Sequence, residues 1–412
     1  LTARLLGPYG RGQFAAAQVW PAIVASVALL GMNNSLALRA ARFRDRVATL
    51  ERSAVGLGAL SSLVVVALSW FLVPIFLPAD NPSLLRLTRF YLIYVPIFVV
   101  TSNLMAIDQG SGNFKQFNLA RNVLTPVYLI LLCWLWVFGM RNVQWFLGAL
   151  LLANSAVLFV RGLRIKRGEI ICSRNNVHLH GLIRDGMPFW ITNCILILRE
   201  NAERLLLMFL LGPATLGLFV VAVTAAGAHL TVTKSLNLVV FSRAAALDES
   251  HALRDSARLF RILGLVNFTL GVGMVMVQPF LIPLIFGKAF IGAVPAAMLL
   301  VVGQFFQSQG SILQEAMRGQ ARPFIGLIGV GWGMAIFGSI GYWLASGSGL
   351  LGVAIASTCG QAAYCVFMIA AFKIADPGVD LLVRREDGKR LLSMVGEGTS
   401  AILARLTAAK AG

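Results

Sequence analysis

The chain has 412 residues, 58% hydrophobic and only 13% charged, with a net charge of +18 from 35 Lys and Arg against 17 Asp and Glu. An average soluble domain carries about 25% charged residues, so this much apolar sequence exceeds what one water-soluble core can hide. Apolar bulk with concentrated positive charge is the composition of a polytopic membrane protein; it excludes a secreted, disulfide-built module and argues against nucleic acid as a partner.

In chain order, runs with the roughly 20 apolar residues that a bilayer-crossing helix needs fall at 13–38, 54–78, 87–107, 117–139, 143–160, 188–211, 214–241, 262–286, 293–316, 324–345 and 350–372, eleven in all. Lipid cannot satisfy exposed backbone N–H and C=O groups, so each run is expected to be a helix in an all-α bundle. The runs 188–211 and 214–241 are the least apolar. Proline recurs inside the spans, at Pro21, Pro74, Pro96, Pro126, Pro279, Pro283 and Pro295, as membrane helices tolerate.

Lys and Arg set the orientation. With 39–53 on the cytoplasmic side and alternation from there, the inner segments hold 26 basic residues, and the outer ones hold six: Arg4, Arg11, Arg86, Arg89, Arg141 and Lys288. That asymmetry is the positive-inside pattern of a multi-pass inner-membrane protein. The outer loops are too short to fold. Cys133, Cys194, Cys359 and Cys365 lie in apolar stretches and Cys172 in a basic loop. With an odd count and no C-x-x-C, they read as small apolar fillers and not as a metal or disulfide set.

The chain repeats itself weakly. Leu5-Leu6-Gly7-Pro8 with Gly12 and Phe14 matches Leu210-Leu211-Gly212-Pro213 with Gly217 and Phe219 at an offset of 205. Phe71-Leu72-Val73-Pro74 matches Phe280-Leu281-Ile282-Pro283 at 209, and Leu38-Arg39-Ala40-Ala41 is set against Ser242-Arg243-Ala244-Ala245. Three matches in order at nearly one offset indicate a repeat. The second L-G-P-x-x-x-G follows a whole span, 188–211, so a counterpart is expected upstream of Leu1. The expectation is two six-helix lobes related by a pseudo-twofold along the membrane normal, with the first helix missing from this chain. The divisions are 1–160 for the first lobe, 161–187 for a basic cytoplasmic connection, 188–373 for the second lobe and 374–412 for a cytoplasmic tail.

Leu6-Gly7-Pro8-Tyr9-Gly10-Arg11-Gly12 resembles the L-G-P-x-x-x-G opening of the polysaccharide-exporter flippases of the multidrug/oligosaccharidyl-lipid/polysaccharide superfamily, which include the O-antigen flippases. Gly186-Met187-Pro188, Glu203-Arg204 and Leu211-Gly212-Pro213 are similar to that family's G-x-P…D-R…L-G pattern, with Glu203 where the family has Asp. The resemblance implies a non-enzymatic carrier without cofactor. It implies a substrate too: an undecaprenyl-pyrophosphate-linked oligosaccharide, an O-antigen or exopolysaccharide repeat unit, passed from the cytoplasmic to the periplasmic leaflet. Coupling to protons or sodium, contact with membrane lipids and association with polysaccharide assembly machinery belong to the same expectation. In that family the first two helices of each lobe line the central cleft.

Charge at membrane depth is costly and marks candidate sites. The span 188–211 carries Arg199, Glu200, Glu203 and Arg204. Arg199 with Glu203, and Glu200 with Arg204, are four apart and able to meet on one helix face. Either these pairs neutralise each other and register the helices, or Arg199 and Arg204 bind phosphate while Glu200 and Glu203 take a coupling ion. The next span adds His229, which could titrate or simply be hydrogen-bonded, and Lys234, which could line a cationic cavity or snorkel to the surface. The polar ladder Gln304, Gln307, Gln309, Gln314 and Glu315 suits sugar recognition through amides and equally interhelical hydrogen bonding; Gln304 and Gln307 are the substrate candidates. Asn33, Asn34, Asn103 and Asp108 stand at comparable depths in the first lobe.

Segment 161–184, with Arg161, Arg164, Lys166, Arg167, Arg174 and Arg184, is expected to fix topology and meet anionic lipid; the alternative is that it draws in a pyrophosphate headgroup. His178-Leu179-His180 is too sparse for a metal site. The tail spaces Leu391, Leu392, Val395, Ile402, Leu403 and Leu406 as an amphipathic surface helix. The rival functions are a multidrug or peptidoglycan-precursor exporter of the same fold, and, from another class, a polytopic glycan polymerase or transferase. No Ser-His-Asp grouping, metal cluster or Gly-rich phosphate loop supports an enzyme.

Overall fold

The structure is a computed structural model that describes residues 1–76, 81–163, 179–230, 237, 240–241, 243–244, 247–320, 322–382 and 384. Among the described residues every regular element is helical. The α-helices are α1 (Thr2–Ala28), α2 (Met32–Arg42), α3 (Val47–Phe76), α4 (Pro82–Tyr91), α5 (Tyr94–Gly110), α6 (Phe114–Val137), α7 (Val143–Gly162), α8 (Leu179–Leu210), α9 (Gly212–Ala226), α10 (Glu249–Phe286), α11 (Val294–Gly319) and α12 (Pro323–Ala375).

Where they lie among the described residues the expected spans fall on helix; of 214–241, α9 and a short 3-10 segment reach His229, and most of the rest lies outside the described residues. The run 13–38 is the bent pair α1 and α2, joined at 45°. Leu30 and Gly31 both take positive φ there, a turn that only a glycine enters without steric cost. The last two runs share α12, which breaks at Gly349 (φ 58°, ψ −128°). Among the described residues seven helices are long and apolar enough to cross a membrane, or eight with the bent pair taken as one span. Helix starts are locally encoded: Asn81 caps α4, accepting from Leu84 N at 3.2 Å ahead of Pro82, and Asn142 caps α7, accepting from Gln144 N at 3.1 Å.

Two expectations change. The connection assigned to 161–187 is helical from Leu179 onward. Gly186 and Pro188 look like a helix start, but inside a packed membrane helix a proline is accommodated by its neighbours. Arg161, counted among the residues of that loop, instead ends α7 and is 2% exposed. Residues 164–178 and 385–412, including Cys172, His178 and the amphipathic tail, lie outside the described residues. In the described part of the tail, the Leu382 N–H and then the Arg384 guanidinium hold the Asp380 carboxyl below its ordinary range.

The packing is inverted relative to a water-soluble protein. Phe71, Ile75, Phe280 and Trp343 are each more than 70% exposed, whereas Asn103 and Gln278 are completely buried. In water such an apolar exterior would drive aggregation; against lipid it is the favourable arrangement.

The chain forms two compact units, Leu1–Val220 with Phe286–Phe290, and Val221–Ile285 with Ile291–Gly412. In the first, α1 packs on α4, α5 and α8, α2 on α5 and α8, and α6 on α7. Met32, Leu36, Ala40, Leu50, Ala54, Ile107 and Leu182 make a core from α2, α3, α5 and α8. Gly31 and Gly186 bring two backbones together there: a Cβ on Gly31 would stand 2.1 Å from the Gly186 carbonyl oxygen, and one on Gly186 would stand 2.6 Å from that of Gly31. In the second unit α11 lies along α12.

Candidate functional site

Within the first unit, α1 and α8 border a cavity of about 250 Å³ lined by Thr2, Arg11, Phe14, Gln18, Tyr128 and Arg204, among others. Two guanidiniums face it and none of its lining residues is a carboxylate. Arg11 lies over the Phe14 ring at 5.3 Å, a cation–π contact that holds the charge beside the cavity. Arg204 Nη1 donates to Asn201 Oδ1 at 3.4 Å, and buried Asn201 is itself anchored by donating to Ile197 O at 2.8 Å. Gln18 Nε2 donates to Phe14 O at 2.7 Å, leaving its amide oxygen as the acceptor end. Like charges brought together in a low-dielectric site repel, so the arrangement favours an anion between them.

Arg11 was missed as a candidate because the sequence placed it in a short outer loop. Gly7 takes φ 65° and ψ −179° and breaks the chain there, but helix resumes at once. Arg11 therefore sits one turn into it. The available signal was its position inside the repeated L-G-P-x-x-x-G motif.

Of the expected charge pairs in α8, Arg204 turns to Asn201 and not to Glu200. Glu200 is exposed, and Arg199 and Glu203 are half-buried. The backbone of His229 ends a short 3-10 segment, Gly227–His229; its side chain, and the whole of Lys234, lie outside the described residues. In the second unit Gln304 and Gln309 are buried, and the Oε1 of each has no hydrogen-bond partner. Gln307 is half-buried. Gln314 leaves the ladder, accepting from Tyr364 Oη at 2.6 Å, and Glu315 pairs with Arg318 at 2.8 Å. No group of three or more His, Cys, Asp or Glu fit to hold a metal ion occurs among the described residues.

A second polar centre escaped the sequence almost entirely. Arg161 Nε donates to Asp108 Oδ2 at 2.5 Å, its Nη2 to Asp108 Oδ1 at 2.8 Å, and Nη2 also to Glu51 Oε1. All three side chains are at most 6% exposed. Buried Asn103 lies on the same helix as Asp108, its amide against Gly58 of α3. The Asn34 side-chain amide meanwhile donates to its neighbour, Asn33 Oδ1, at 3.4 Å. The triad ties the start of α3 to the ends of α5 and α7, and none of its members lines the cavity of Arg11 and Arg204, which makes it a structural clamp.

Solved structures share this fold. One described as the inward-facing conformation of a multidrug resistance MATE family transporter of the MOP superfamily matches with a TM-score of 0.71 at 16% identity, over 92% of this chain and 95% of that one. The lipid II flippase MurJ in an inward closed conformation matches at 0.66 and 14% identity, covering 94% and 88%. A eukaryotic MATE transporter matches at 0.60 and 13%, covering 94% and 97%. No curated protein matches the chain in sequence. Residues 1–295 match the profile of a family described as polysaccharide biosynthesis protein.

Proposed function

The chain belongs to the polysaccharide biosynthesis protein family, and from that premise we propose that it is a flippase for an undecaprenyl-pyrophosphate-linked oligosaccharide. It passes an O-antigen or exopolysaccharide repeat unit from the cytoplasmic to the periplasmic leaflet of a bacterial inner membrane by alternating access. The observation that carries the reading is the cavity where Arg11 and Arg204 converge without a carboxylate. Planar guanidiniums offer paired donors to phosphate oxygens, and a pyrophosphate is the part of such a lipid that most needs them at membrane depth. A multidrug cation exporter of the same fold would need the opposite charge there.

In this reading Arg199 and Lys234 add positive charge along the route. Gln304 and Gln307 contact the sugar; the unpartnered Gln304 amide oxygen supports that role, since an amide buried without a partner is costly. Glu200, Glu203 and His229 are the coupling groups for protons or sodium. A charge-assisted hydrogen bond is worth about 1.5–3 kcal/mol, so Arg11→Gln and Arg204→Gln should each cut glycan export about ten-fold or more while folded protein persists in the membrane. Wild-type export from both variants would overturn the cavity assignment. Loss of peptidoglycan synthesis with surface glycan intact would favour a peptidoglycan precursor, the substrate class of the MurJ neighbour.

A further inference from the structure

Helix α8, which borders this cavity, also borders a second one, there against α2. A space of about 450 Å³ is lined by Ser35, Leu38, Arg39, Arg42 and Phe43, from α2 and the residue after it, and by Asp185 of α8. Arg39 Nη2 donates to Asp185 Oδ2 at 2.9 Å, with the side chains 24% and 54% exposed. Arg42, one turn further along α2, is exposed on the same cavity. Two guanidiniums against one carboxylate leave the lining net positive. Leu38 and Phe43 add an apolar rim, 46% and 48% exposed. The basic segment 39–53 puts this cavity on the cytoplasmic side.

Beneath the ion pair the two helices are held by other contacts. Buried Ser35 donates to Leu182 O at 2.8 Å, and Gly31 and Gly186 touch backbone to backbone. The Arg39–Asp185 pair therefore caps a seam that is already closed, and closure does not depend on it. Along α8, residues 185 and 204 are about 29 Å apart at 1.5 Å per residue, close to the ~30 Å thickness of a hydrocarbon core. α8 thus borders two cationic stations, one shared with α1 and one with α2.

We propose that Arg39 and Arg42 form the loading site for the phosphate headgroup of a prenyl lipid in the cytoplasmic leaflet, with Asp185 the resident anion that the phosphate displaces from Arg39. The proposal rests on the flippase reading. An exposed ion pair contributes at most about 1 kcal/mol, whereas a pyrophosphate brings more charge and bidentate acceptors, so the exchange favours the lipid. The prenyl chain finds Leu38 and Phe43 beside the headgroup. Release of Asp185 removes the only side-chain ion pair described between α2 and α8, while the Ser35 and glycine contacts keep the seam closed.

The test is binding of undecaprenyl pyrophosphate to the full chain in nanodiscs, read by native mass spectrometry beside thermal stability. Asp185→Asn should tighten binding, by up to about 5-fold if the pair is worth 1 kcal/mol, while Arg39→Gln and Arg42→Gln should weaken it. A purely structural latch predicts that Asp185→Asn and Arg39→Gln lower stability alike and leave lipid binding unchanged; that result overturns the proposal. Inorganic pyrophosphate competing as well as the prenyl lipid would overturn the lipid as the source of the phosphate. Arg11→Gln and Arg204→Gln separate the two readings. If they leave both export and loading intact, the inner cavity assignment fails and the loading site stands. Lost export with no effect of Arg39 or Arg42 on binding means the reverse.

Discussion

Gly12 and Gly217 cross so closely that neither position has room for a side chain. A Cβ on Gly12 would stand 1.6 Å from the Pro213 carbonyl oxygen, and one on Gly217 would stand 1.9 Å from that of Pro8. The two copies of L-G-P-x-x-x-G thus pack on each other reciprocally, each glycine against the other copy's proline, as equivalent surfaces do about a twofold. Small residues let membrane helices approach in this way. Gly7 and Gly212, with φ 65° and 76°, supply the matching breaks just before each crossing.

That contact sets the first prediction. Gly12→Ala and Gly217→Ala should each cost about 1–3 kcal/mol or more, because the methyl meets backbone that cannot swing away. Gly56→Ala, where nothing lies within 4 Å, should be neutral or slightly stabilising. Thermal unfolding of the three purified variants in one detergent checks the contrast.

The Arg161 clamp gives the second. Removing one member of a buried ion pair leaves uncompensated charge, typically at 3–5 kcal/mol, so Arg161→Met should strongly destabilise the protein with Asp108 and Glu51 left behind. Replacing all three together, as Glu51→Gln, Asp108→Asn and Arg161→Met, should recover most of the loss. A triple variant no more stable than the single one would show that more than charge compensation is at work.

Ion coupling gives the third. Glu200 and Glu203 are the carboxylates of the span that carries Arg204. Glu200→Gln or Glu203→Gln should reduce the dependence of transport in proteoliposomes on a proton or sodium gradient. Gradient dependence unchanged in both variants would remove these residues from the coupling role.

Topology gives the fourth. With the other four cysteines replaced by serine, Cys172 in intact cells should react with a membrane-permeant maleimide and not with an impermeant one. Impermeant labelling would place segment 161–184 outside and invert the orientation drawn from Lys and Arg.

Much of this protein was legible because a bilayer makes simple demands. Among the described residues the apolar runs fall on helix, since only a helix satisfies its own backbone in lipid, and the family was open to reading from short motifs. The candidate site was legible only in part. Arg204 could be singled out as a charge inside an apolar run, and it does line a cavity. Arg11 and Arg161 were discounted because each lies at the edge of a span, where a basic residue ordinarily marks topology. Asp108 stood out by depth, but nothing in the sequence linked it to Glu51 and Arg161, 57 and 53 residues away.

What the sequence determines here is one-dimensional: which segments are apolar enough for a membrane, where the basic residues cluster along the chain, and that short motifs recur. Apolar periods and charge asymmetry act locally, so they survive without a fold. Only tertiary structure decided which charges meet. It turned Arg204 from Glu200 to Asn201, set Arg11 on the lining of the same cavity, drew Asp185 to Arg39, and sealed Arg161 between two carboxylates. Each outcome depends on helix rotation and crossing, set by close contacts such as Gly12 on Pro213, and a side chain's sequence neighbours carry no record of those.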